Sequence, residues 1–172
     1  ALVAAYYQYQ GYLTSSAKWF WVRDPDKKQR GYQDIDVLAI NDDEIIIVSV
    51  SGNLDDKVRF TRDGNFNQPL LDKQINYFDR VVLYLRAVPQ YQWLLNNRQQ
   101  KRFIAYMSGN SLANRIIMPD TGWDSHNIQL LHVGKIVTDL SEKIKEDEIK
   151  GFKTNNQIIK LLQIITRLEV SD

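Results

Sequence analysis

Cysteine is absent from the 172 residues and histidine occurs only twice. Thiol nucleophiles, structural zinc sites and a three-histidine catalytic metal centre are therefore excluded. Any metal here must be held by oxygen. No apolar run approaches the roughly 18 residues needed to span a bilayer, and residues 1–12 lack the basic start of a secretory signal. The expectation is a soluble, cytoplasmic chain with no membrane partner. Also missing are a Gly-rich phosphate loop, a dinucleotide fingerprint and a Ser/His/Asp order signature. Without disulfide or zinc staples the fold must rest on its core. A chain of this length with 44% hydrophobic residues can build one, and a single domain over residues 1–172 is expected.

The net charge of +1 conceals an uneven distribution. Residues 1–31 carry five basic and two acidic side chains, and residues 32–56 carry seven acidic and none basic. Residues 57–118 then carry ten basic against three acidic. A solvated acidic strand pair explains the second block without any function. A carboxylate-lined metal site flanked by basic surface explains it equally well and suits a phosphodiester substrate.

Periodicity and punctuation give the elements. Residues 1–10 read as a helix closed by Gly11, and residues 18–23, dense in aromatics, as a strand ending at Asp24-Pro25-Asp26. A charged connection is expected over 27–31. Residues 34–40 and 44–51 are strands joined by the hairpin turn Asn41-Asp42-Asp43, the second almost continuously apolar. A long polar loop is expected over 52–68. Apolar positions recur at helical spacing over 69–88, between Pro69 and Pro89. Residues 102–107 and 128–133 read as further strands, and 138–148 and 156–170 as helices. The fold class is α/β, a mixed central sheet flanked by helices with an αβββαβ core.

The stretch Gly31-Tyr32-Gln33-Asp34-Ile35-Asp36-Val37-Leu38-Ala39-Ile40, followed by the strand 44–51, resembles the core of the PD-(D/E)xK nuclease superfamily, which has the restriction endonuclease-like fold. The resemblance covers residues 1–107 in element order and about twenty residues in motif. It implies a nucleic-acid-acting domain, DNA more than RNA, that hydrolyses phosphodiesters with a Mg2+-activated water. It also implies that the domain works as a homodimer or within a larger assembly. Asp36 takes the place of the metal-binding aspartate, with the Val50 carbonyl as a second ligand. The acid and lysine of the motif fall on Ser49 and Ser51. A neutral hydroxyl is a poor magnesium ligand beside a carboxylate and carries no charge to steady hydroxide.

The catalytic positions are thus Asp36, Ser49, Ser51 and Gln74, the last because a glutamine and a tyrosine, here Gln74 and Tyr77, flank the site in some members. Lys57, Arg59, Arg62 and Lys73 are the candidates for phosphate contact. Cleavage is expected to be poor or absent, through degeneration or replacement of the two motif residues. Alternatively, the roles have moved to Asp34, Lys57 or Lys73, with Asp34 reaching the site only if its strand twists or bulges. On residue type alone, Asp34 reads as a solvated carboxylate, Gln74 as a helix-surface amide and His132 as a satisfied core residue. The aromatics of residues 6–21, and Tyr91 with Trp93 beside Arg98, Lys101 and Arg102, suit base stacking or ordinary packing. The competing reading of the chain is a non-catalytic module that joins protein subunits.

Overall fold

Residues 45–48 are apolar on successive positions, so neither face of that strand can meet water. The chain places it at the centre of a five-stranded mixed sheet. The structure, a computed structural model, describes residues 1–23, 29–59, 61, 63, 65–109, 127–149 and 159–160. Its elements are helix α1 (Leu2–Tyr9), strands β1 (Leu13–Arg23), β2 (Gln29–Ile40) and β3 (Glu44–Asn53), and helix α2 (Gln68–Ala87). Strands β4 (Gln99–Ser108) and β5 (Ile128–His132) and helix α3 (Val133–Ile149) follow. The strands lie side by side in chain order. β1, β2 and β3 are antiparallel neighbours, whereas β4 runs parallel to β3 and β5 parallel to β4. Parallel neighbours need a crossover, and α2 supplies the one from β3 to β4.

Strand alternation divides the interior into two cores. Ile45, Ile47 and Ile104 pack against Leu71, Phe78, Val81 and Leu85 of α2. Ile46, Val48 and Ala105 face the other way, against Val3, Ala5 and Tyr7 of α1 and Ile136, Leu140 and Ile144 of α3. The β2–β3 turn is held by Asn41, whose Oδ1 accepts from the amides of Asp43 at 3.0 Å and Glu44 at 2.8 Å. Helix α2 starts where the Asn67 side chain accepts from the Leu70 amide at 3.2 Å, with Pro69 in the first turn. Among the described residues no helix is long and apolar enough to cross a membrane.

Several expectations change. β1 begins at Leu13, and Gln29–Gly31 belong to β2 rather than to a connection; residues 24–28 lie outside the described ones. The span 52–68 is not wholly loop. β3 runs on to Asn53, whose side chain accepts from the Asp55 amide at 3.1 Å and opens a short 3-10 turn, Leu54–Asp56. Leu54 and Val58 anchor this segment in the core, two apolar residues that the surrounding polar sequence obscures. The expected helix over 156–170 lies outside the described residues except for residues 159 and 160, which are helical.

Helix α3 starts five residues earlier than expected, with Gly134 in its first turn closely approached by His132. His132 Nδ1 accepts from the Gly134 amide at 3.1 Å, and a Cβ at position 134 would sit 2.8 Å from that nitrogen. His132 is accordingly an exposed cap and not a core residue. With Nδ1 accepting, Nε2 carries the proton and donates to the Met107 carbonyl at 3.0 Å.

The orientation of α2 is open to a paired test. Phe78→Ala should cost about 3–5 kcal/mol in urea unfolding, whereas Leu83→Ala, exposed on the same helix, should stay within about 0.5 kcal/mol. Equal costs would contradict the placement of the helix.

Candidate functional site

β2 and β3 are laddered only from Val37 opposite Val48 to Ile40 opposite Ile45. Beyond that point β2 pairs with β1, through Ile35 with Lys18 and Asp34 with Trp19, while β3 pairs with β4, through Ser49 with Ile104 and Val50 with Ala105. The two strands fork at Asp36 and Ser49. On a regular strand Ile35 and Val37 would share a face. Here Ile35 enters the core under α2 and Val37 the opposite one, so the alternation breaks at Asp36. Ala17, flanked by the pairs Ser16–Val37 and Lys18–Ile35, lies across from that break with φ 53°, a left-handed conformation uncommon for alanine.

A fork leaves backbone groups in need of partners. The Val50 amide donates to Asp36 Oδ2 at 2.7 Å, and the Asp36 amide donates to the Tyr77 hydroxyl at 3.3 Å. One aspartate therefore ties β3 to β2 through its side chain and ties β2 to α2 through its backbone.

A cleft of about 330 Å³ opens at this fork, lined by Asp34, Asp36, Lys57, Lys73, Gln74, Tyr77 and Arg80, with Tyr32 and Gln33 at β2. Positions 73, 77 and 80 recur at helical spacing, so one side of α2 presents Lys73, Tyr77 and Arg80 to it. No salt bridge among the described residues engages Lys57, Lys73 or Arg80. Three cations elsewhere are paired. Lys101 pairs with Glu44, Arg102 with Asp79 at 2.9 Å and Lys135 with Asp139 at 3.0 Å.

Gln74 is only 3% exposed, which corrects its reading as a surface amide. It lies on the buried stripe of Leu71, Phe78 and Val81, three, four and seven residues away along the helix. Its Oε1 has no hydrogen-bond partner, and neither has the Oγ of the fully buried Ser49. Among the described residues these are the buried side-chain polar atoms left without one. Each such atom costs about 1–3 kcal/mol; Ser49 lies beside Asp36, and Gln74 lines the same cleft.

Burial pushes the Asp36 carboxyl above the usual aspartate range, and the charge of Asp34 adds to the rise. The Val50 amide, the Lys57 charge and the nearby Ser49 hydroxyl act in the opposite sense without reversing it. Ser49 is thus close enough to favour the carboxylate although it makes no hydrogen bond of ordinary geometry. Burial and the Asp36 charge push the Tyr77 hydroxyl far up, so it stays protonated. Asp36 and Asp34 both line the cleft, and one or two protein carboxylates are all that a magnesium ion keeping most of its waters needs. They do not make a full protein cage, and no group of three or more acidic or histidine ligands exists among the described residues.

The expected site residues are therefore only partly gathered. Asp36, Gln74, Lys57 and Lys73 line one cleft, with Ser49 and the Val50 amide directly behind Asp36. Ser51 does not line it. Its hydroxyl donates to the Asn53 carbonyl at 2.7 Å and accepts from the Asn53 amide at 3.3 Å. Arg59 is exposed and does not line the cleft, and Arg62 lies outside the described residues. Arg80 was missed by sequence reasoning, although its place seven residues after Lys73 and three after Tyr77 marks the same side of α2.

The aromatic and basic group near residue 91 serves the fold. Arg98 Nε donates to the Asn41 carbonyl at 2.6 Å, and its guanidinium lies 5.4 Å from the centre of the Trp93 ring. No family model, curated protein or solved structure matches the chain.

The shift at Asp36 has a measurable consequence. A carboxyl with a raised native pKa keeps its proton through a window in which the unfolded chain has released it, so stability falls as pH rises through that window. Asp36→Asn retains an acceptor for the Val50 amide but carries no charge. In metal-free buffer the variant should exceed the parent in stability at pH 7, and this gain should vanish below about pH 4. A difference independent of pH would contradict the burial of the charge.

Proposed function

We propose that this chain is a nucleic-acid-binding domain of the restriction endonuclease-like kind, DNA more than RNA, in which phosphodiester cleavage is impaired. The observation that carries the reading is the convergence on one cleft of two carboxylates, three cations free of salt bridges and a buried amide oxygen without a partner. Phosphate oxygens meet Lys57, Lys73 and Arg80, and Asp36, with help from Asp34, would hold a hydrated Mg2+. When bound, the ion would neutralise charge on the phosphate and acidify a water.

Impaired cleavage follows from what stands beside Asp36. The motif position for a second carboxylate is the neutral Ser49, and the position for its lysine is Ser51, whose hydroxyl is tied to its own strand end. Lys57 and Lys73 supply positive charge from another direction, which serves binding. Asp34 stands on β2, not on β3 where the motif has its second acid. The order of elements, a helix, three antiparallel strands, a helix and a parallel strand, supports the same kinship.

Fluorescence anisotropy with a labelled DNA fragment across a salt series tests the binding. Three phosphate contacts should give a slope of about −2 to −3 in log K against log salt, and Lys57→Ala or Lys73→Ala should each flatten it by about one. Absence of binding, or affinity indifferent to salt, contradicts the proposal and favours a module that joins protein subunits.

Cleavage has its own test. The double variant S49E/S51K should nick plasmid DNA in Mg2+ or Mn2+ and stop when EDTA removes the metal, while the parent chain stays at background. A correctly folded, DNA-binding double variant without activity would contradict the assignment of Ser49 and Ser51.

A further inference from the structure

We infer that the cleft takes a strand whose bases are unpaired, and that those bases stack on Trp19, Trp21 and Tyr32. This rests on the phosphate-binding reading of the cleft and adds its substrate class. The three rings are 64%, 46% and 59% exposed, unusual for large aromatics in a fold with two well-filled cores. Trp21 lies opposite Tyr32 in the β1–β2 ladder and Trp19 opposite Asp34, so the three rings and Asp34 share one face. Trp21 and Tyr32 are in contact, with ring centroids 3.6 Å apart. Phe20, between the two tryptophans, points the other way and stacks on Tyr84 of α2.

This face is continuous with the cleft. Tyr32 and Asp34 line both. At the sheet edge, a groove of about 470 Å³ runs between β1 and α2, and Arg80 lines both groove and cleft. β1 is the outer strand of the sheet. The α1 side of the sheet is covered at Val37 and Ala39 but not at Tyr32 or Trp21. The open aromatic face thus meets the cleft at Tyr32 and Asp34 and, around the edge strand, the groove at Trp19 and Trp21, which Arg80 also lines.

That combination selects the ligand. In a duplex the base faces are already stacked on one another, whereas an unpaired strand offers every face to an aromatic ring and its phosphates to nearby cations. A protein partner seated on the rings would account for the apolar surface but would leave the cations of the cleft, which outnumber its two carboxylates, without an anion, and the cores of protein interfaces are depleted in charge. Asp34, opposite Trp19, disfavours a phosphate on the ring face itself and leaves the backbone to the cations.

The test uses the whole chain and three fluorescein-labelled DNAs at one fixed salt concentration: a 12-nucleotide strand, its duplex, and an abasic strand with the same phosphates but no bases. The intact strand should bind at least about tenfold more tightly than either of the others. Trp19→Ala and Trp21→Ala should each weaken the intact strand about 5- to 100-fold and leave the abasic strand unchanged. Both side chains are exposed, so folding should survive, and the abasic comparison needs no variant at all. Equal affinity for intact and abasic strands, or a preference for duplex untouched by the tryptophan changes, overturns the inference while the phosphate reading stands. Binding of none of the three DNAs removes the phosphate reading and this inference with it. Self-association lost in both tryptophan variants, with strand binding unaltered, assigns the rings to a protein contact and overturns the inference.

Discussion

Where β2 and β3 part, the Val50 amide donates to the Asp36 carboxylate over 2.7 Å, and the rest of the site is arranged around that bond. The hydrogen bond satisfies an amide that the fork would otherwise strand, and it brings a carboxylate to a place where burial disfavours its charge. A carboxylate held this way gains from any cation that reaches it. Lys57 is the cation the fold already supplies, and the cleft leaves room for another.

The division of the basic side chains gives the cleft its chemical sense. Arg98 fastens the hairpin turn at Asn41, and Lys101 and Arg102 are neutralised by Glu44 and Asp79. Among the described residues no salt bridge neutralises Lys57, Lys73 or Arg80 at the fork. Part of the basic side chains thus holds elements together and another part gathers at one opening. Surface salt bridges add little to stability, whereas a concave site focuses any excess of charge. Three cations against two carboxylates leave the cleft a small positive excess that favours an anion. A buried glutamine oxygen without a partner lines the same cleft.

Much of the frame was legible because it depends on pattern alone. The apolar run of β3, the helical spacing of α2 between two prolines and the Asn-Asp-Asp turn each specify an element without reference to the rest of the chain. The failures share a cause, which is that tertiary contacts decided the outcome. The start of α3 is hidden until the His132 ring is placed against Gly134, and His132 looks like a core residue until both its nitrogens are seen to bond at the surface. Gln74 is polar by type but sits on an apolar stripe by spacing, and spacing won. Of the site, Asp36 and its neighbours on β3 were legible from motif. Arg80 and the break in alternation at Asp36 were not, because they depend on how α2 and β1 lie against the fork.

The central claim is that the fork at Asp36 is where nucleic acid arrives. Amide NMR read during titration with a short oligonucleotide addresses it without altering a residue. The account expects the backbone amides of Val50 and Lys57 and the side-chain amide of Gln74 to shift together, while the amides of α1 and α3 stay fixed. Shifts confined to α1 and α3, with Val50 unmoved at saturation, would contradict it.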